Sequence, residues 1–114
     1  NSGLAHAVFY AMTAYPVIEE RHLHVEVVGF GVLLALLADQ QEEAFEDIYR
    51  LNKAIHLPTS LEEIEITREQ WEECMTRIPH MSDVAHYPYS VTEDMLKSAM
   101  ERLEERNQRF LQTI

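Results

Sequence analysis

The chain has one cysteine, Cys74, which rules out an intrachain disulfide and a thiolate-rich zinc site and fits a reducing compartment, so a cytoplasmic protein is expected. Glycine and proline number 3 and 4 in 114 residues, too few for the turn-dense connections of an all-β fold. Basic residues are outnumbered 9 to 20, giving a formal net charge of −11. A nucleic-acid backbone or an anionic membrane surface would be repelled, so neither is an expected partner. The most apolar run, residues 27–38, is 12 residues long, short of the roughly 20 needed to cross a bilayer as a helix. The N-terminus lacks an initiator methionine, a basic region and a cleavage-site pattern, and reads as a processed product or a fragment of a longer protein. Gly-rich phosphate loops, GxSxG, HExxH and CxxC are all missing.

What is present has the balance of a folded protein: 46% hydrophobic and 25% charged residues, in a length that suits one domain spanning 1–114. Leu, Glu, Ala, Met and Gln recur at helical spacing, and the expectation is an all-α bundle of about five helices with short connections. A first helix is expected over residues 4–14, with Leu4, Val8 and Ala11 on its inner stripe, Ser2 as a cap and Pro16 beyond its end. The run "HLHVEVV" alternates like a strand, but its continuation through "LLALLADQ" requires a helix, placed at 25–40. Gly29 and Gly31 near its start imply close approach of another backbone or a ligand. A third helix over 42–55 should bury Phe45, Ile48, Leu51 and Ile55. Thr59 or Ser60 caps the acidic turn "LEEIEI", and Thr67 caps a helix over 68–78 with Trp71, Cys74, Met75 and Ile78 inside. After an irregular connector, Thr92 opens a last helix to residue 112, with Leu96, Met100, Leu103, Phe110 and Leu111 available to pack. Its "ERLEERNQR" stretch reads as a solvated face laced by i,i+4 ion pairs.

The candidates for chemistry are mostly histidines. Cys74 sits on an apolar stripe amid acidic neighbours, which raises a thiol pKa and marks a structural cysteine. Glu62, Glu63 and Glu65 read as a solvated acidic turn rather than paired catalytic carboxylates. His56 and His80 are expected at helix ends or exposed, and His86 is a candidate pocket residue. His6 lies within the apolar first helix, where burying an imidazole without a partner costs energy. Neutral imidazole is a good ligand for zinc or ferrous iron, and two histidines on neighbouring antiparallel helices can converge on one ion. Spacing alone favours a satisfied core histidine over a metal ligand. At a helix start His22 and His24 do not share a face, so at most one points at His6. Catalytic metal sites typically have three protein ligands; a third, an Asp or Glu, must then come from outside this chain.

The segments "GLAHAVFYAMTAYP", "HVEVVGFGVLLAL" and "LPTSLEEI", in that order, resemble the C-terminal helical domain of the iron-containing alcohol dehydrogenase family, in its glycerol dehydrogenase-like branch. The later segment "DVAHYPYSVTEDMLKSAM" extends the resemblance over nearly the whole chain. The resemblance implies that His6 and His24, 18 residues apart, are ligands of a divalent zinc or iron, completed by an aspartate from an earlier helix. It implies a metal-dependent, NAD-linked alcohol or polyol dehydrogenase of which this chain is part of the C-terminal domain. Its partners would then be a small alcohol or polyol and a missing nucleotide-binding domain, in a homo-oligomeric parent. The isolated fragment would be inactive and hold neither metal nor NAD tightly. Three positions depart from the family pattern: Phe9 replaces a histidine on the substrate side, Tyr10-Ala11 replaces Asn-Gly, and Val25 and Val27 replace Gly and Lys. These changes favour a less polar alcohol or ketone over glycerol, or a paralogue without activity. The alternative to the enzyme reading is a non-catalytic helical module for interaction or assembly.

Overall fold

A computed structural model describes residues 3–112. Among them it contains helices and turns and no strand: α1 (Gly3–Met12), α2 (Pro16–Arg21), α3 (His24–Ala38), α4 (Glu42–Ala54), α5 (Leu61–Ile64), α6 (Arg68–Arg77) and α7 (Glu93–Gln112), with 3-10 turns at Ile78–His80 and Ser82–Val84. The all-α bundle expected from composition is the fold. It has seven helices rather than about five, because Pro16 starts α2 instead of merely ending α1: its missing N–H falls where a helix leaves an amide unpaired. The second extra helix is the acidic turn, a four-residue α5 capped by Ser60, whose hydroxyl accepts from the Glu63 amide. Thr67 caps α6 in a reciprocal box with Gln70. The expected cap at Ser2 lies outside the described residues.

α3 is the centre. It is apolar on nearly every side and buries Val27, Phe30, Leu33, Leu34 and Leu37. α1 packs against it antiparallel: Gly31 faces the Ala5 carbonyl, while Phe9, four residues further along α1, meets His24, seven residues earlier on α3. α4 returns along α3 after a short turn in which Gln40 takes a positive φ of 58°, making an αα-hairpin. α7 closes the other side with Leu96, Ala99, Met100 and Leu103 buried.

Polar pins fix these helices. Arg77 donates at 2.8 Å to the Ala11 carbonyl, an acceptor that the C-terminus of α1 leaves open, and Arg102 donates at 3.1 Å to the Leu37 carbonyl, which also accepts from the Gln40 amide. Arg106 makes a two-pronged contact with Glu46 at 2.8 and 2.7 Å, and Arg102 reaches Glu42 at 2.8 Å. Asn107 donates to the Thr59 carbonyl and accepts from the Tyr49 hydroxyl. The α7 stretch read as a solvated face with internal ion pairs is therefore a clamp onto α4 and the 57–60 connection.

Three residues expected in the core are exposed instead. On α4 the buried face is Phe45, Tyr49 and Asn52, whereas Leu51 and Ile55 are 52% and 55% exposed. α7 draws the Tyr49 side of α4 inward, and the other apolar stripe is left outside. Leu111, in the last turn of α7, is also exposed.

Candidate functional site

His6, on α1, is exposed rather than buried. The inner stripe of α1 is filled by Leu4, Ala5, Ala7, Val8, Ala11 and Met12, and His6 falls between these positions. One turn on from His6 along the same face comes Phe9, half-buried, with its ring 4.4 Å from that of His24 at an interplanar angle of 57°. Tyr10 stands beside Phe9 and is mostly exposed. Phe9 is therefore one turn from His6 in α1 and packs on His24 across the helix interface. Among the described residues no hydrogen bond or ion pair engages the ring nitrogens of His6 or His24.

The α2–α3 junction positions His24. The Leu23 amide donates to Glu26 Oε1 at 2.8 Å, which satisfies one of the free donors at the start of α3. The same oxygen is 3.2 Å from His22 Nδ1, and His22 Nε2 lies 3.0 Å from Glu65 Oε1, which Arg21 also reaches at 3.0 Å. The His22 side chain is only 8% exposed. Both its nitrogens are thus taken, and it anchors the junction while the next histidine faces outward. The separation of His22 from His24 expected at a helix start is what the structure shows.

Gly31 holds the two histidine-bearing helices close. A Cβ there would stand 2.8 Å from the Ala5 carbonyl oxygen, nearer than any side chain tolerates. The backbone approach inferred from this glycine is that of α1. Gly29 instead faces the side chains of Leu57 and Asn52, at 3.4 and 3.6 Å from its would-be Cβ.

The remaining candidates do not join this site. His56, His80 and His86 are exposed, and His86 lines neither surface cleft described for the chain. Glu62, Glu63 and Glu65 are exposed; Glu63 accepts from the Thr59 amide and hydroxyl, and Glu65 pairs with Arg21 and His22. Cys74 is fully buried, and its thiol is pushed up to about 11 chiefly by burial, against the opposing charge of Arg77. It is an inert core residue. Among the described residues no set of three or more His, Cys, Asp or Glu side chains gathers, so this part of the chain brings the two imidazoles alone.

Sequence reasoning missed a second polar cluster. Asp39, at the C-terminus of α3, accepts from the hydroxyls of Tyr87 and Tyr89, and burial together with that carboxylate raises the pKa of both phenols. It pins the 85–91 connector over the end of α3. A surface cleft of about 800 Å³, lined by Lys53, Glu63, Arg68, Glu104, Asn107 and Leu111 among others, contains no histidine. Its charges are engaged with one another: Arg68 pairs with Glu104, and Lys53 lies 3.9 Å from Glu63.

No protein-family model matches the chain. It is 28% identical over 104 residues to hydroxycarboxylate dehydrogenase A of Escherichia coli (strain K12), an alignment that covers 88% of this chain and 28% of that protein. The chain thus spans little more than a quarter of the length of the curated relative it matches. No described helix is long and apolar enough to cross a membrane.

Proposed function

We propose that the chain is the ligand-bearing helical part of a metal-dependent, NAD-linked dehydrogenase acting on a small alcohol, polyol or hydroxycarboxylate. One observation carries the reading: two exposed imidazoles, without a hydrogen-bond partner among the described residues, stand on antiparallel helices held at close range by Gly31, with Phe9 one turn from His6 and packed on His24. The likeness to a dehydrogenase supports it. The donor set fits a divalent zinc or ferrous ion, since neutral imidazole suits both and two ligands leave room for a carboxylate from elsewhere in a longer polypeptide. A divalent ion held there supplies Lewis acidity toward a substrate hydroxyl.

The roles of the chain's own residues follow. His6 and His24 present nitrogen donors. Phe9 places an apolar ring beside His24 where the family pattern has a histidine, so it limits water beside the donors and favours a less polar substrate face. Glu26 and His22 keep His24 turned outward. A nucleotide-binding domain, and with it the NAD site, would lie in the rest of the polypeptide.

Imidazole NMR of the 114-residue chain tests the ligand pair. Zinc at millimolar concentration is expected to shift the His6 and His24 signals together, with those of His22 unmoved, and His6→Ala should abolish the response of His24. Independent responses, or a response at His22 instead, would remove the basis for the site. In a longer polypeptide carrying this chain, metal-dependent NAD reduction should be lost in both His6→Ala and His24→Ala. The competing reading, a non-catalytic assembly module, draws on the uncovered face of α4; it expects both alanine variants to keep every property except oligomer state or stability.

A further inference from the structure

Among the described residues the Glu65 carboxylate bonds to Arg21 and His22 and not to His6 or His24, yet it stands at the far end of a polar chain that leads to His24. Glu65 ends α5 with its backbone in the left-handed region, φ 64° and ψ 35°, a conformation that glycine usually supplies at a helix end. Its neighbours Ile64 and Ile66 are buried, and Thr67 caps α6 directly after them. The carboxylate thus projects from a corner that is itself fixed. From there Glu65 Oε1 meets His22 Nε2 at 3.0 Å. The other ring nitrogen, Nδ1, lies 3.2 Å from Glu26 Oε1, the oxygen that accepts from the Leu23 amide at 2.8 Å.

The start of α3 depends on this chain. α2 ends at Arg21 and α3 begins at His24, so His22 and Leu23 are the whole link between them. Leu23 is 69% exposed, whereas the His22 side chain is 8% exposed; of the two, His22 is the one fastened to another part of the fold. Backbone support of the first turn is uneven, since the Leu23 carbonyl accepts from the Glu26 amide at 3.0 Å and from the Val27 amide at 3.4 Å. We propose that Glu65 is a positioning residue for His24, acting through His22, an inference that rests on the reading of His24 as a metal ligand. The buttress from the α5–α6 corner steadies the first turn of α3, so His24 keeps its ring on Phe9 and presents its nitrogens in one orientation. An ion that must first order a ligand binds more weakly than one that finds it in place. Arg21 shares the Glu65 oxygen, but its side chain is 66% exposed, and an exposed pair of this kind contributes little.

Imidazole NMR of the metal-free 114-residue chain reads the placement of His24, because the Phe9 ring displaces the His24 proton signals and Phe9→Leu gives their positions without it. Glu65→Gly removes the carboxylate and suits the positive φ, so the backbone gains while the buttress is lost. The His24 signals are expected to move at least halfway toward their Phe9→Leu positions, with helicity unchanged. If Glu65→Gly loses helicity, Glu65→Ser is read in its place. Glu65→Gln, whose amide oxygen still accepts from His22, should keep the signals near their parent positions. Arg21→Ala should leave them in place, as should Arg68→Ala, which breaks an exposed ion pair elsewhere. In a His22→Ala background Glu65→Gly should add nothing. The zinc response shared by His6 and His24 should weaken about tenfold in Glu65→Gly. His24 signals that stay in place in Glu65→Gly, or that move as far when His22 is absent, would overturn the proposal. If the metal-free signals move as expected but the parent chain shows no shared zinc response, the positioning stands and the ligand reading falls.

Discussion

Gly29 and Gly31 occupy one helix two residues apart, and what each faces separates them. At Gly31 an added methyl would meet the carbonyl oxygen of Ala5 at 2.8 Å; the backbone of α1 must then move, since it has no rotamer to change. Ala normally gains about 1 kcal/mol over Gly within a helix, but overpacking against a fixed neighbour costs about 1–3 kcal/mol. Gly31→Ala should therefore destabilise the chain by up to about 2 kcal/mol and loosen the Phe9–His24 contact. Gly29→Ala, against side chains at 3.4 and 3.6 Å, should be neutral or stabilising by up to about 1 kcal/mol. Urea unfolding of the two variants checks the contrast, and equal effects would refute the backbone-approach explanation. The unusual glycines were visible in the sequence; which of them touched backbone was not, because that depends on the crossing point of α1 on α3.

Between elements, the α4–α7 clamp is the clearest case of long-range matching. Glu42 and Glu46 stand four apart on α4, and Arg102 and Arg106 four apart on α7, so each pair presents a two-step ladder to the other. The equal spacing was a signal available in the sequence, but with local partners also in reach, local pairing was the simpler reading. Arg106, first through its hydrogen bonds, holds the Glu46 carboxyl at about 2 against its ordinary 4.5, with Arg50 assisting and burial opposing. Because the folded value lies below the unfolded one, the stabilisation is complete above about pH 4.5 and is lost as the pH falls toward 2. Partial exposure of Glu46 limits its size, and Glu46→Gln should cost about 1–2 kcal/mol at neutral pH. Thermal unfolding followed from pH 7 to pH 3 should show an acid decline in the parent chain that is shallower in Glu46→Gln; identical slopes would mean the clamp contributes nothing.

For the whole molecule, the decisive fact is how little of a site one chain carries. Two exposed imidazoles at the edge of a helix pair would offer a metal ion only a weak site, and the aligned relative extends well beyond the region matched here. Zinc at about 1 mM should therefore stabilise the 114-residue chain by less than about 1 kcal/mol. Even that small gain should vanish in the His6→Ala/His24→Ala double variant. Differential scanning calorimetry with and without zinc measures it, and tight stoichiometric stabilisation would show that the chain holds a complete site by itself.

The helical class, the Ser60 and Thr67 caps and the burial of Cys74 were legible in the sequence, because they follow from local spacing and capping chemistry, whereas α2, opened by Pro16, was not. A helix start turns His22 and His24 to different faces, but it was the family resemblance, with its 18-residue spacing from His6, that pointed to His24. Only the tertiary structure decided that His6 is exposed, that Phe9 packs on His24 and that His22 is locked between Glu26 and Glu65, because each depends on contacts across helices. It likewise decided which apolar stripe of α4 is buried. Helical periodicity marks Phe45, Ile48, Leu51 and Ile55 alike as apolar, and only the docking of α7 on the Tyr49 side leaves Leu51 and Ile55 facing outward.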